Sequence, residues 1–283
     1  MHIIKKLKQL FIGIILAITS HSMSASWSII FDLPNTLIKP NKVTFFKDVI
    51  GFTGIAYTLW DWKNPFELEE LMYKMLDTMG KQNPENGYVA KSPEGRTLPK
   101  LYCDVLTTTI TPPQAAKLAK QHISALAVKR YFANNREQSL MHNIMDAVFD
   151  AAGLAKHTEP IPEAITLVTD CNNQVGKDNL YIVANWDKFS FTELFKMTHA
   201  QPLFKFFSTD NIYLSSTSKL LLPNSACFEP LVKFHNIDPR KSVFITGVAH
   251  HVQAARSFGM KTVLIQDEDF DTVRLELKML GIL

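Results

Sequence analysis

Asp32 is the residue whose type and setting most directly suggest chemistry. It follows Ser28-Ile29-Ile30-Phe31, an apolar run that predicts a short buried strand, and Pro34-Asn35 then breaks that strand. A carboxylate at the end of a strand can attack a substrate as a nucleophile. It can equally accept hydrogen bonds from the backbone of a neighbouring turn. The residues alone leave both interpretations of Asp32 open.

Two further residue pairs stand where predicted strands end. The apolar runs 180–184 and 242–245 predict strands that end at Ala184-Asn185 and at Thr246-Gly247. In parallel sheets, ligands bind at the carboxyl ends of the strands. We therefore expect these two pairs to lie on the same edge of a sheet as Asp32.

From Pro162 onward, short apolar runs alternate with helical patterns. The further strands and the helices predicted there are strands over 212–214 and 262–265, and helices over about 190–198, 224–234, 249–258 and 269–280. This alternation indicates a parallel sheet covered by helices on both faces. Since the first strand belongs to the same set, the predicted fold is α/β with a doubly wound parallel sheet.

The stretch 45–160 is mostly helical in pattern and interrupts this sheet after its first strand. The predicted helices are Phe66–Met79, one that starts at Thr111-Pro112-Pro113 and runs to about Phe132, and Glu137–Ala152, which Gly153 would end. Thr111 is the expected N-cap of the second helix. The predicted organisation is a core of residues 27–44 and 161–283 with a helical cap, residues 45–160.

This layout resembles the haloacid dehalogenase (HAD) superfamily, in which phosphohydrolases with a helical cap predominate. The segments that carry the resemblance are Phe31–Leu37 for the Asp-x-Asp-Gly-Thr-Leu motif, Ile182–Asn185 for the second motif, Leu222–Asn224 with Phe228 for the third, and Phe244–Met260 for the fourth. The resemblance covers essentially all of the chain after residue 26. It implies a HAD-like Rossmannoid core with a cap inserted after the first strand.

The resemblance also implies roles for individual residues. Asp32 takes the position of the nucleophile that forms an aspartyl-phosphate. Leu33, Thr36 and Asn185 take substrate-binding positions. Lys219 is the candidate replacement for the catalytic lysine, provided that its loop differs from the loop of the family.

Four positions depart from the pattern of the active family. Pro34 stands where the general acid is expected, Ala184 replaces a hydroxyl residue, Leu222 replaces the lysine, and Thr246-Gly247 replaces an acidic pair. Loss of a general acid typically costs about 10²–10⁴ in rate. We expect a hydrolase that is weak or inactive on phosphate esters. No cofactor and no metal site is expected, and Mg²⁺ only if residual phosphatase activity exists.

Two other functions are compatible with the sequence. A metal-independent dehalogenase also lacks the second aspartate, although that branch relies on the missing lysine and on an early arginine. A non-catalytic binding module would use the cap, where Tyr57 and Trp60-Asp61-Trp62 form an aromatic cluster. Packing of these rings between cap and core is the alternative. The partner would be an unknown small molecule or protein.

Three further features have plain structural interpretations. His250-His251 at a helix start could bind a metal, but a solvated helix end is the preferred interpretation. Asp187 could lend a carboxylate to the site, and exposure after a strand is the commoner explanation. Cys103, Cys171 and Cys227 allow at most one intramolecular disulfide, and buried thiols are expected.

Residues 1–26 have the order of a secretory signal. The basic cluster Lys5-Lys6-Leu7-Lys8 precedes the apolar run 10–18 and the small, polar segment 19–26. Nine apolar residues are too few for a membrane span, which needs about 20. We expect export to the periplasm or secretion, with no stable membrane span after cleavage; an uncleaved anchor is the alternative.

Charge and motifs exclude several other classes of protein. The chain has 30 Lys and Arg against 27 Asp and Glu, and three of the positive charges lie in residues 1–26. The net charge of the residues after 26 is zero, and they contain no basic stripe. No nucleic-acid partner is therefore expected. Gly-rich dinucleotide, P-loop and Gly-x-Ser-x-Gly motifs do not occur.

Overall fold

The computed structural model describes residues 27–45, 47–48, 66–82 and 88–283. The predicted signal segment and the aromatic cluster at Tyr57 and Trp60-Asp61-Trp62 lie outside the described residues. Within those ranges, no helix has the length and apolar character that crossing a membrane requires.

The core is a sheet of five parallel strands. The strands are β1 (Ser28–Phe31), β4 (Leu180–Ala184), β5 (Ile212–Leu214), β6 (Ser242–Thr246) and β7 (Lys261–Leu264). Their order is β5-β4-β1-β6-β7, and Ile30 of β1 pairs with Tyr181 of β4 and Phe244 of β6. The ends of β1, β4 and β6 therefore share one edge. The predicted α/β fold with a parallel sheet is confirmed.

Helices cover both faces of this sheet because its strands are apolar on both sides. Phe31 packs into the cluster on one face and Ile30 into the cluster on the other. The covering helices are Pro162–Val175 and Phe270–Met279 on the Phe31 face, and Glu229–His235 and Ala249–Ser257 on the Ile30 face. Helix 162–175, which begins with a proline in its first turn, is absent from the sequence prediction.

The remaining core elements are short. They are the helices Lys188–Lys196, Gln201–Phe204 and Ser215–Ser218, and the 3-10 turns Lys177–Asn179, Thr209–Asn211, Ser225–Phe228 and Pro239–Lys241. The helix predicted over 224–234 is thus a 3-10 turn followed by an α-helix. Asn224 caps that turn by accepting the Ala226 N–H.

A helical insert separates β1 from the rest of the core. The chain leaves through β2 (Ile38–Pro40) and returns through β3 (Thr158–Pro160), which pair antiparallel. The described insert helices between them are Lys42–Phe45, Phe66–Asp77, Lys100–Leu106, Pro112–Val128, Asn135–Val148 and Ala151–Lys156. Four of them, from Phe66–Asp77 to Asn135–Val148, enclose an apolar cluster around Met75, Ile123 and Leu140. Ala155 of the last insert helix belongs to the core cluster on the Phe31 face.

The sequence prediction is correct at the start of one insert helix and wrong at the end of another. Thr111 is the N-cap of Pro112–Val128 and forms a capping box with Gln114, as expected. The helix predicted over 137–152 is interrupted, because Asp150 accepts the Ala152 N–H and starts a new helix. Gly153 lies inside this second helix rather than ending the first. A Cβ there would lie 2.6 Å from Asp150 Oδ2, so glycine leaves room for the cap.

Candidate functional site

Asp32 follows β1 and is fully buried, with an exposed fraction of 0%. Its Oδ1 accepts the Leu33 N–H at 2.8 Å. Its Oδ2 accepts two hydrogen bonds, from Thr246 Oγ1 at 2.8 Å and from His251 Nδ1 at 2.7 Å. Both carboxylate oxygens are therefore bound by groups of the same chain.

His251 comes from the first turn of helix Ala249–Ser257 and is 3% exposed. Because an ionised carboxylate only accepts hydrogen bonds, Nδ1 carries the hydrogen that Asp32 receives. The Nε2 atom is buried and has no partner within the described structure. The expectation of a solvated helix end at His250-His251 is therefore wrong for His251. Its contact with Asp32 spans 219 positions of sequence, and no local pattern indicates it.

His250 lies against His251, with ring centroids 4.7 Å apart at an interplanar angle of 83°. Burial is the main cause that lowers the pKa of His250 below its ordinary value, and the charge of Lys91 acts in the same direction. Lys91 belongs to the helical insert. The insert thus reaches the edge of the sheet that holds Asp32.

Thr246-Gly247 completes the group around Asp32. Thr246 Oγ1 accepts the Val248 N–H at 3.0 Å while it donates to Asp32. A Cβ at Gly247 would lie 2.0 Å from the Asn35 carbonyl oxygen, so no side chain fits there. The close approach of these two backbones accounts for glycine at a position where the family resemblance implies an acid.

Thr36, a predicted substrate-binding residue, joins the two loops at this edge. Its Oγ1 accepts the Gly247 N–H at 2.7 Å and donates to the Pro34 carbonyl at 3.1 Å. Thr36 and Leu33 are both 0% exposed. The structure thus brings Asp32, Leu33 and Thr36 together in one buried network.

Asn185 and Lys219, the other two predicted site residues, make their contacts elsewhere. The Asn185 amide accepts the Leu222 N–H at 2.8 Å and donates to the Leu222 carbonyl at 3.0 Å, as an opposing strand would. Lys219 Nζ donates to the Thr107 carbonyl of the insert at 2.6 Å. Their polar groups are committed to backbone partners.

Asp187 is buried, contrary to the expected exposure. It is the N-cap of helix Lys188–Lys196, and its Oδ1 accepts the Ser190 N–H at 2.9 Å. An N-cap aspartate satisfies one of the free amides at a helix start. The structure gives Asp187 an architectural role.

Space at the ends of β4 and β5 is small. A cavity of about 10 Å³ lies there, lined by residues that include Asn185, Ser215 and Cys227. This volume corresponds to about one water molecule. Larger hollows of about 510 and 630 Å³ lie on the insert, around Lys120 and around Asp146.

The residues around Asp32 do not fit Mg²⁺. The ion requires several oxygen ligands in near-octahedral geometry. Here Asp32 is fully buried, its Oδ2 already accepts two hydrogen bonds, and Gly247 offers no carboxylate. Within the described part of the chain, no three His, Cys, Asp or Glu side chains are grouped as a metal would need.

Sequence comparisons do not assign the chain to a family. No protein-family profile matches it. No curated protein matches it either.

Comparison with solved structures finds proteins with a similar fold. A HAD-family enzyme of Bacteroides thetaiotaomicron is 14% identical, with a TM-score of 0.51 over 88% of this chain and 98% of that one. The magnesium complex of the same enzyme gives 14% identity and a TM-score of 0.50 over the same shares of both chains, 88% and 98%. An L-2-haloacid dehalogenase of Xanthobacter autotrophicus is 11% identical, with a TM-score of 0.45 over 91% and 84% of the two chains.

The Bacteroides structures align with 88% of this chain, which includes both core and insert. At this level of identity the likeness concerns the fold. The chain therefore has a HAD-like α/β fold.

Proposed function

We propose that this chain is an exported protein of hydrolase ancestry that is weak or inactive as a phosphohydrolase. The proposal rests on the burial of the Asp32 side chain and on its hydrogen bonds. The side chain is fully buried, and three donors of the same chain bind its two oxygens.

A nucleophilic carboxylate must bring one oxygen to within about 3–3.5 Å of the reacting atom. Asp32 Oδ2 would have to leave Thr246 or His251 to do so. Oδ1 accepts one hydrogen bond, from Leu33, and the burial of the side chain closes its remaining lone pair to a substrate. Attack would therefore cost hydrogen bonds that a buried carboxylate needs.

Stabilisation of the transition state is weak as well. Pro34 has no proton to give a leaving group, and the Lys219 ammonium is bound to a carbonyl of the insert. Removing one charge-stabilising donor typically costs about 10²–10³ in rate. Such losses do not simply add, but together they favour turnover near background.

A metal-independent dehalogenase is the catalytic alternative. It needs the same accessible Asp32 oxygen, because the carboxylate would displace halide from carbon. The burial of Asp32 opposes this activity as much as phosphate transfer.

Binding through the insert is the non-catalytic alternative. The two larger hollows lie on the insert, whereas the cavity at the ends of β4 and β5 has room for about one water. A small molecule or a protein bound there would leave Asp32 untouched.

Export rests on the order of charge, apolar run and small residues in 1–26. The mature chain would then occupy the periplasm or the cell exterior. Fractionation of cells that express the full chain, with mass spectrometry of the new N-terminus, tests this part separately. Uncleaved chain retained in the cytoplasm would contradict it.

The main experiment measures phosphate release from a panel of phosphomonoesters and halide release from 2-haloacids, with Mg²⁺ and with a chelator. Asp32→Asn removes the nucleophile, and Asp178→Asn, an exposed aspartate, is the matched control. We expect no turnover above Asp32→Asn in either assay. Turnover that Asp32→Asn abolishes and Asp178→Asn preserves would refute the proposal.

Pro34→Asp restores the position of the general acid alone. We expect no robust phosphate release from this variant, since the burial of Asp32 and the misfit to Mg²⁺ remain. Strong rescue would mean that Pro34 is the sole defect.

A further inference from the structure

Segment 215–222 of the core contacts the helical insert through three different side chains. Ser215 Oγ donates to the Leu106 carbonyl at 2.9 Å, and Lys219 Nζ donates to the Thr107 carbonyl at 2.6 Å. Leu221 packs against an apolar cluster of the insert formed by Ala90, Leu98 and Cys103. Two polar contacts and one apolar contact thus join core and insert within seven residues.

The two carbonyls belong to the end of insert helix Lys100–Leu106. The last carbonyls of a helix lack intrahelical partners and carry the negative end of the helix dipole. This helix has no basic residue in its own last turn. The hydroxyl of Ser215 and the ammonium of Lys219 supply the hydrogen-bond donors for these two carbonyls, and Lys219 also supplies a positive charge at the helix end.

The same segment is fixed to the core at both ends. Ser215 Oγ also accepts the Trp186 N–H at 3.0 Å, just after β4. At the other end, the Asn185 amide binds both backbone groups of Leu222. Motion of the segment relative to β4 would break these bonds.

Lys219 itself adopts a left-handed backbone conformation, with φ of 60°. Such a conformation is uncommon for a residue with a side chain and is kept where surrounding contacts compensate for it. Here the Lys219 N–H donates to the Ser215 carbonyl at 2.9 Å, and the side chain reaches the insert.

We infer that segment 215–222 is a strap that fastens the helical insert to the core, with Lys219 as the residue that positions the end of helix 100–106. Lys219 then holds the insert against the core and takes no part in the chemistry of Asp32. The inference holds whether or not Asp32 retains activity, because it concerns contacts that do not include Asp32.

Hydrogen exchange followed by mass spectrometry tests the strap on the full mature chain. Lys219 is exposed, so Lys219→Met removes the ammonium without opening the core. We expect about tenfold faster exchange in peptides covering 100–107, since a hydrogen bond from a charged group is lost, and unchanged exchange in β6. Lys219→Arg should restore the protection, and Lys177→Met, another exposed lysine, should leave it unchanged.

Two results would overturn the inference. One is unchanged exchange at 100–107 in Lys219→Met. The other is equal acceleration in β6 and at 100–107, which would reveal general destabilisation. Because exchange is measured without substrate, failure of the strap is distinguishable from failure of the proposed loss of hydrolase activity.

Discussion

His251 donates its Nδ1 hydrogen to Asp32 Oδ2 over 2.7 Å, and both side chains are almost completely buried. The carboxylate that follows β1 is thus part of an internal hydrogen-bond network. Asp32 thereby joins the end of β1 to Thr246, which ends β6, and to the first turn of helix Ala249–Ser257.

Removal of His251 is expected to destabilise the chain strongly. His251→Ala leaves the buried Asp32 side chain without one of its three donors, and a buried hydrogen-bonding group that loses its partner typically costs about 1–3 kcal/mol. Urea unfolding followed by circular dichroism gives the free energy of unfolding. His142→Ala, at a partly buried histidine on the insert, is the control and should cost far less.

A double-mutant cycle isolates the pair itself. Asp32→Asn and His251→Ala should show a coupling energy of about 1–3 kcal/mol. The reason is that the second substitution cannot remove an interaction that the first has already weakened. Additive effects of the two substitutions would contradict a direct interaction.

Gly247→Ala is expected to destabilise by steric overlap. Its Cβ would lie 2.0 Å from the Asn35 carbonyl oxygen, and such backbone contacts cannot move aside. We expect a loss of about 1–3 kcal/mol or more in the free energy of unfolding. Gly281→Ala is the matched control, since no atom lies within 4 Å there and only its left-handed backbone is strained. A smaller loss at Gly247 than at Gly281 would contradict the close approach.

The three cysteines are expected to be inert in the folded chain. Cys103, Cys171 and Cys227 are free and buried, and burial raises the pKa of each thiol to about 12. Thiolate is the reactive form, so iodoacetamide near neutral pH should modify none of them. Mass spectrometry should find three modified sites after unfolding in urea. Rapid modification of one thiol in the native chain would show that it is accessible.

Stability is expected to fall as the pH drops below the ordinary histidine pKa of 6.5. Burial lowers the pKa of His250 in the folded chain, so the unfolded chain binds a proton at higher pH than the folded chain does. The contribution is complete above about pH 6.5 and is lost as the pH falls further. Burial shifts the pKa of His122 and His142 in the same direction.

The variant His250→Gln tests this pH dependence. Urea midpoints measured from about pH 7.5 down to about pH 5 should fall less steeply in the variant. Part of the slope should remain because His122 and His142 are still present. An unchanged slope would contradict the assignment to His250.

Local pattern was sufficient to predict the central strands. β1 and β4 have the predicted bounds because every residue in them is buried and the runs are short and apolar. Helix 162–175 was not predicted, although Pro162 marks its start. The break at Asp150 was also missed, because the apolar spacing continues across it.

The candidate site was only partly predictable for a different reason. The apolar run 28–31 indicates Asp32 as a candidate, whereas only the family resemblance indicates Thr36. The partners of Asp32 and Lys219 lie 219 and 112 positions away, and only the folded chain brings them together. Asn185 was correctly placed at a strand end, but nothing local shows that its amide binds Leu222.

The pairing of β2 with β3 closes the base of the helical insert. Ile38 lies opposite Pro160 and Pro40 opposite Thr158, so the two points where the chain leaves and re-enters the core are neighbours. A short hairpin could join them and leave the five-stranded sheet intact. Such a minimal core would expose Leu221 and leave the Lys219 ammonium without the Thr107 carbonyl. Excision would therefore create an exposed apolar surface that favours aggregation, at the place where the insert packs in the intact molecule.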